Sequence, residues 1–321
     1  MDNFWATLKK PVLALAPLSG ITDSAFRRIC KGFGADVVYS ELASSTAFAY
    51  LAQSTHDIVR FDPSERPYVV QLFGNNPEHF AIATRFVTRE FSPDGIDINF
   101  GCPMAKVFKR GAGAALMTDL PLAREVIQSV IENTPLPVSL KTRTSVKGSD
   151  LLSLLSYVED LDIKALMIHG RTYAQRFSGP NDIETTREAR TLFKGMILAN
   201  GGAGNSTTAV ELIEKTGADG VGIARGALGN PWIFDQLKAA LNGGLPVKPE
   251  RQDVLKTALE HARLLIELKG RHGIIQMRKH LCWYLQQIRG GKKLKQTAVN
   301  IESLDDVAAL VARAAEQDLG G

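Results

Sequence analysis

Cysteine is scarce in this chain and long apolar runs are missing, and each shortage removes a class of protein. Three cysteines in 321 residues, far apart and odd in number, exclude a disulfide framework and give no zinc-ligand spacing. They point to a reducing compartment, so a cytoplasmic location is expected. No run nears the roughly 18 apolar residues that a spanning helix needs, and no membrane contact is expected. The opening Met-Asp-Asn-Phe-Trp has no basic segment followed by an apolar core, so no signal peptide is read there. Neither sign of charge dominates. Lysine and arginine number 38 against 34 acidic residues, and the resulting +4 would not by itself argue for nucleic acid. A content of 45 % hydrophobic and 22 % charged residues is that of an ordinary globular protein.

What the chain does have is a succession of short apolar segments, each running into something polar. Val12 to Ala16, closed by Pro17, is the first. Val37 to Ser40, Tyr68 to Leu72, Gly95 to Asn99, Pro137 to Lys141, Ala165 to Ile168, Gly195 to Ala199 and Gly220 to Ile223 follow. Such continuous apolar runs mark strands buried on both faces. Amphipathic helical patterns lie between several of them, at 77–91, 121–132, 151–161 and 207–216. Eight strands alternating with helices within about 250 residues predict an α/β fold, a (β/α)8 TIM barrel. Seven strands end in, or run into, Glu41, Gln71, Asn99 with Cys102, Lys141, His169, Asn200 and Arg225. Parallel strands bring their C-terminal ends to one face, so these side chains should meet at one site.

The pattern changes near residue 245. Pro246-Val247-Lys248-Pro249 reads as a linker, and the spacing then predicts helices over 254–268, 274–288 and 304–316. Residues 1–245 are thus expected to form the barrel, and residues 246–321 a small all-helical C-terminal domain. Basic residues gather at Lys106 to Arg110 and at Arg271 to Lys295.

Chemistry is expected above all at Asp97-Ile98-Asn99-Phe100-Gly101-Cys102-Pro103. Gly101 permits a tight turn, and Pro103 restricts Cys102 to extended backbone and stops the strand. The thiol should therefore point from a strand end into a loop. Cys30 and Cys282 lie inside helical patterns and read as small buried hydrophobes. The loops Asn200-Gly201-Gly202-Ala203-Gly204 and Gly222-Ile223-Ala224-Arg225-Gly226 suit a phosphate, held by exposed backbone N–H groups with Arg225 beside them. A Rossmann dinucleotide site fails on spacing, because neither glycine pair lies in the turn after a strand. A phosphate site, Gln71 and Lys141 round the ring and a cysteine across from them suggest flavin mononucleotide, FMN. His169 reads either as a cofactor neighbour or as a structural residue. No ligand set for a metal is apparent.

Several motifs together resemble the tRNA-dihydrouridine synthases, and the bacterial B-type branch most. They are Ala16 to Asp23, Gln71-Leu72-Phe73-Gly74, Asn99-Phe100-Gly101-Cys102-Pro103, Lys141-Thr142-Arg143, His169-Gly170-Arg171-Thr172, Asn200-Gly201-Gly202 and Gly222 to Ala227, with Arg278-Lys279-His280 and Trp283-Tyr284. The resemblance implies an FMN enzyme that takes hydride from NADPH (or NADH) and delivers it to C6 of a D-loop uridine in tRNA. It implies that Cys102 is the general acid that protonates C5. Pro17, Leu18, Ser19, Gln71, Lys141, Asn200, Gly201, Gly202, Ala224 and Arg225 would hold the flavin, with His169 near its phosphate. Asn99 and Arg143 would face the uracil, and Lys106, Arg171, Arg278 and Lys279 would serve the tRNA, gripped by the helical domain of a monomer. An FMN barrel acting on a free small molecule, of the dihydroorotate or enoate type, is the alternative.

Overall fold

The computed structural model describes residues 3–52 and 55–316. Eight parallel strands close on themselves: β1 Val12–Leu15, β2 Val37–Tyr39, β3 Tyr68–Phe73, β4 Gly95–Asn99, β5 Val138–Arg143, β6 Ile163–His169, β7 Met196–Asn200 and β8 Gly220–Ile223. A two-residue segment, Ala43–Ser44, adds to the sheet beside β3. Each strand pairs with its neighbours in sequence, and β1 pairs with β8, Val12 beside Gly220, to complete the ring. The (β/α)8 barrel expected from the strand pattern is thus the fold observed.

Strand periodicity decides what faces where. Val12 and Ala14 point inward and pack with Val37, Val69, Met167 and Leu198, while Leu13 and Leu15 point outward under the helices. Trp5, from the turn Phe4–Thr7, packs on Val12 and Met196 at the strand starts and closes that end of the barrel. At the opposite end the inward positions turn polar: Gln71, Asp97, Asn99, Ser139, Lys141, Arg143, His169 and Asn200. The site lies where the apolar filling stops.

The surrounding helices are α1 Ser24–Gly32, α2 Ser45–Ala49, α3 Pro77–Phe91, α4 Leu120–Ile131, α5 Leu151–Tyr157, α6 Ile183–Leu192, α7 Ser206–Thr216 and α8 Ile233–Leu241. Six of them begin at an Asp or Asn whose side chain accepts a backbone N–H of the first turn: Asp23, Asn76, Asp119, Asp150, Asp182 and Asn205. Each such cap is worth about 1 kcal/mol and pins the helix start beside the barrel mouth.

Three further helices follow, α9 Arg251–Lys269, α10 Arg271–Tyr284 and α11 Leu304–Glu316. Their apolar faces share one core with Ala25 and Ile29 of α1 and with Trp232, so they are seated on the barrel's flank. Lys269 Nζ donates to Asp23 Oδ2 at 2.7 Å, and Lys279 Nζ donates to the carbonyl of Gly20. Gly20 N–H in turn donates to Glu41, so the helices brace the loop that follows β1.

Candidate active site

At the C-terminal ends of the strands the barrel opens into a cavity of about 1160 Å3. Among its described lining residues are Lys141, Arg143, Arg171, Arg225 and Lys248, and there is no carboxylate. Burial, then the neighbouring Arg143, lowers the Lys141 ammonium to about 8. Burial, together with Lys141, Arg143, Arg171 and Arg225, drives the His169 pKa down to about 2, so its imidazole is neutral. Nη1 of Arg171 is buried with no hydrogen-bond partner among the described residues. Cations gathered around a concave wall that carries no carboxylate among its described residues call for an anion.

One wall of the cavity is made of backbone. Gly201 and Gly202 follow β7 at φ +105° and +78°, and a Cβ on Gly201 would stand 2.7 Å from His169 Cδ2. Asn200, the last residue of β7, accepts from Lys141 Nζ at 3.1 Å and donates to the carbonyl of Gly222 at 2.7 Å, tying β5, β7 and β8 together. Gly204 and Asn205 bring the N-terminus of α7 to the same wall. Pro17, Leu18, Ser19 and Ala224 complete it. The geometry fits a flat, phosphate-bearing cofactor, with the glycine cradle and helix N-terminus at the anionic end.

The facing wall is made of side-chain hydrogen bonds. Asn99 Oδ1 accepts from the N–H groups of Gly101 at 3.2 Å and Cys102 at 2.9 Å, which shapes the turn that carries the thiol. Arg143 Nε donates to the Gly101 carbonyl at 2.7 Å, while its Nη1 reaches the carbonyls of Arg171, Thr172 and Arg176. Gly113 packs behind the thiol, so closely that a Cβ there would lie 3.1 Å from Cys102 Cβ. Half-exposed Phe177 lies between two guanidinium groups, 5.8 Å from Arg143 and 5.5 Å from Arg225.

A family model described as Dihydrouridine synthase (Dus) matches residues 14–319. The tRNA-dihydrouridine synthase B of Shewanella oneidensis is 34 % identical over 282 residues, 87 % of each chain. That of Pseudomonas aeruginosa is 33 % identical, covering 93 % of this chain and 91 % of the other. The chain belongs to the dihydrouridine synthase family. Among solved structures, histamine dehydrogenase from Rhizobium sp. 4-9 aligns with a TM-score of 0.53 at 11 % identity, over 78 % of this chain and 48 % of that one. A 2-naphthoyl-CoA reductase aligns with a TM-score of 0.53 at 9 % identity, over 75 % and 51 %. This chain spans about half the length of those two proteins, and at such identity the likeness is one of fold.

For this dihydrouridine synthase, the structure gathers most of the residues named from the sequence. Pro17, Leu18, Ser19, Asn99, Cys102, Lys141, Arg143, His169, Arg171, Asn200, Gly201, Gly202, Ala224 and Arg225 all line the cavity. Gln71 lies behind the wall. It is fully buried, its Nε2 donating to Asp97 and its Oε1 accepting from Asn99. Lys106 is exposed on the short helix Ala105–Phe108, outside the cavity. Arg278 turns Nε and Nη2 to the carbonyl of Ile301, and Lys279 is the strap to Gly20. Cys30 is buried, as expected, whereas Cys282 is only partly covered. Asp97 belongs to the stretch singled out around Cys102 but receives no role of its own there, and Phe177 is not among the residues read from the sequence. Asp97 shares the inward face of β4 with Asn99, and a charged residue flanked by Ile96 and Ile98 was the signal for it. No pattern marks Phe177.

Proposed function

We propose that this chain is a tRNA-dihydrouridine synthase that reduces the C5–C6 bond of a D-loop uridine, with FMN as resident cofactor, NADPH as reductant and Cys102 as the proton donor to C5. Family membership carries the reaction class. The observation that supports its assignment to this cavity is the pairing of a cationic, carboxylate-free glycine cradle on one wall with a loop-borne thiol on the other. FMN, when bound, would supply the hydride chemistry, carrying two electrons from the nicotinamide to C6. Lys141, Asn200, Gly201 and Gly202 hold and orient it, Pro17, Leu18, Ser19 and Ala224 cover it, and Arg225 and Arg171 meet its phosphate. Negative charge then builds over C5 and O4 of the uracil, which Asn99 and Arg143 face as donors. Cys102 delivers its proton to C5. The thiolate left behind lies within the field of Lys141 and Arg143.

A stacked uridine must swing out of its stack in the tRNA to reach this depth, at a cost of about a few kcal/mol. Lys106, Lys109 and Arg110 after the Cys102 loop, and Lys292, Lys293 and Lys295 in the connection between α10 and α11, offset that cost through phosphate contacts. The described residues include no helix long and apolar enough to cross a membrane. In this reading the protein is a cytoplasmic monomer acting on tRNA. The test is to incubate the purified protein with NADPH and unmodified tRNA transcript and map dihydrouridine by nuclease digestion and mass spectrometry. Product is expected at one D-loop position. Cys102→Ala should keep its yellow flavin and its bleaching by NADPH but lose product by roughly 100- to 10,000-fold. Full turnover by that variant would remove Cys102 from the reaction.

A further inference from the structure

Asp97 is a completely buried carboxylate on the inward face of β4, two residues before Asn99. It makes no ion pair among the described residues, and an apolar residue would fill the space at lower desolvation cost. Two hydrogen bonds hold it instead. Gln71 Nε2 donates to Oδ2 and Ser139 Oγ donates to Oδ1, both at 2.6 Å. Gln71 Oε1 then accepts from Asn99 Nδ2 at 2.9 Å, and Asn99 Oδ1 accepts the N–H groups of Gly101 and Cys102. The chain of contacts runs without a break from the barrel interior to the backbone of Cys102.

Its direction follows from the chemistry of its first member. An ionised carboxylate only accepts, whereas a carboxamide can turn end for end. Asp97 therefore takes the nitrogen of Gln71. That leaves the Gln71 oxygen for Asn99, and the Asn99 oxygen for the loop. Turning Gln71 over would set acceptor against acceptor at Asp97 and donor against donor at Asn99, and turning Asn99 over would set donor against donor at the Cys102 loop. We propose that Asp97 is a positioning residue for Cys102, acting through Gln71 and Asn99 to hold the loop that presents the thiol to the uracil. That a uracil receives the proton rests on the proposed function; that the loop is held does not.

Two readouts separate the two statements. The flavin-loaded protein is alkylated with iodoacetamide, and Cys102 and Cys282 are followed by peptide mass spectrometry, with Cys282 as internal reference. Single-turnover reduction of tRNA is measured in parallel. In Asp97→Ala the freed loop should let Cys102 react about fivefold faster relative to Cys282. Uridine reduction should fall about 50-fold, the scale of a misplaced reacting group, while bleaching by NADPH changes less than about twofold. Gln71→Glu sets two carboxylates against each other and should free the loop in the same way. Adding Asp97→Asn to that variant gives the introduced carboxylate an N–H donor and should restore both rates toward wild type. Wild-type alkylation in a folded Asp97→Ala protein overturns the proposal. So does a double variant no better than Gln71→Glu alone, and that pair decides the matter if Asp97→Ala fails to fold. A wild-type protein that forms no dihydrouridine would sink the proposed function, while the alkylation rates would still judge Asp97.

Discussion

The two walls of the cavity are built by different means. On the side of β7 and β8 the shape is made by the main chain, with glycines at positive φ, a helix N-terminus and cations set around them. On the side of β3, β4 and β5 it is made by side chains whose donors and acceptors fit in only one order, from Asp97 to the Cys102 loop. A backbone wall fails by steric intrusion, and a relay fails by reversed polarity. The first suits a ligand that stays, and the second suits a group that must act at one moment of a reaction.

Three interventions set the walls against each other. The largest effect is expected on the backbone side. Gly201→Ala places a Cβ 2.7 Å from His169 Cδ2 at a φ that L residues rarely adopt. Strain of about 1–3 kcal/mol should weaken FMN binding roughly 10- to 100-fold, read by fluorescence titration of the apoprotein. Unchanged affinity would mean that the cradle is not where the cofactor lies. Next comes pH. Lys141, at about 8, should lose its proton and slow flavin bleaching by NADPH as pH rises through that value. Asp97, raised to about 7 by burial, is ionised only above it, so uridine reduction should fall as pH drops through 7. The groups that face Asp97 are Tyr39 from β2, Gln71 from β3, Ser139 and Lys141 from β5, and Asn99 on its own strand. Stopped-flow profiles of the two half-reactions should therefore bend at opposite ends, about tenfold per pH unit beyond each pKa. Coincident profiles would erase the distinction between the walls. The smallest effect is expected from Ser139→Ala, which removes one of the two donors that favour the ionised carboxylate. The acid limb should move upward by about one pH unit or less, with the alkaline limb unmoved.

Much of this was readable in advance. The eight strands announced themselves because a strand covered on both faces has no polar alternation, so Val37-Val38-Tyr39 or Ile197-Leu198-Ala199 can hardly be anything else. Their polar ends converge because parallel strands share a direction. Apart from α-helices of five residues or fewer, two leave no clear signal in the sequence. Ile183–Leu192 has only two buried residues, Thr186 and Ala189, too few for a periodic signal, and Ile233–Leu241 follows Pro231 in a stretch that gave no clear start. The roles of Gln71, Asn99 and Arg143 were only half legible, since their hydrogen bonds join positions 26 to 42 residues apart. Charge counts could not foresee that Arg278 and Lys279, inside a basic run, turn their head groups to the carbonyls of Ile301 and Gly20. A sequence shows that a cation is present, not which carbonyl lies within its reach.

Asp97 also sets folding and function at odds. With a folded pKa near 7 against 3.8 when free, it keeps its proton in the native barrel at pH values where the unfolded chain has lost it. Folding therefore takes up a proton between those values, and this residue's contribution to stability declines as pH rises toward 7. The form that orders Gln71 and Asn99 is the ionised one, the form the barrel tolerates least. The catalytic loop is thus aligned by a residue that the rest of the core would rather see neutral, so selection for stability alone would remove it.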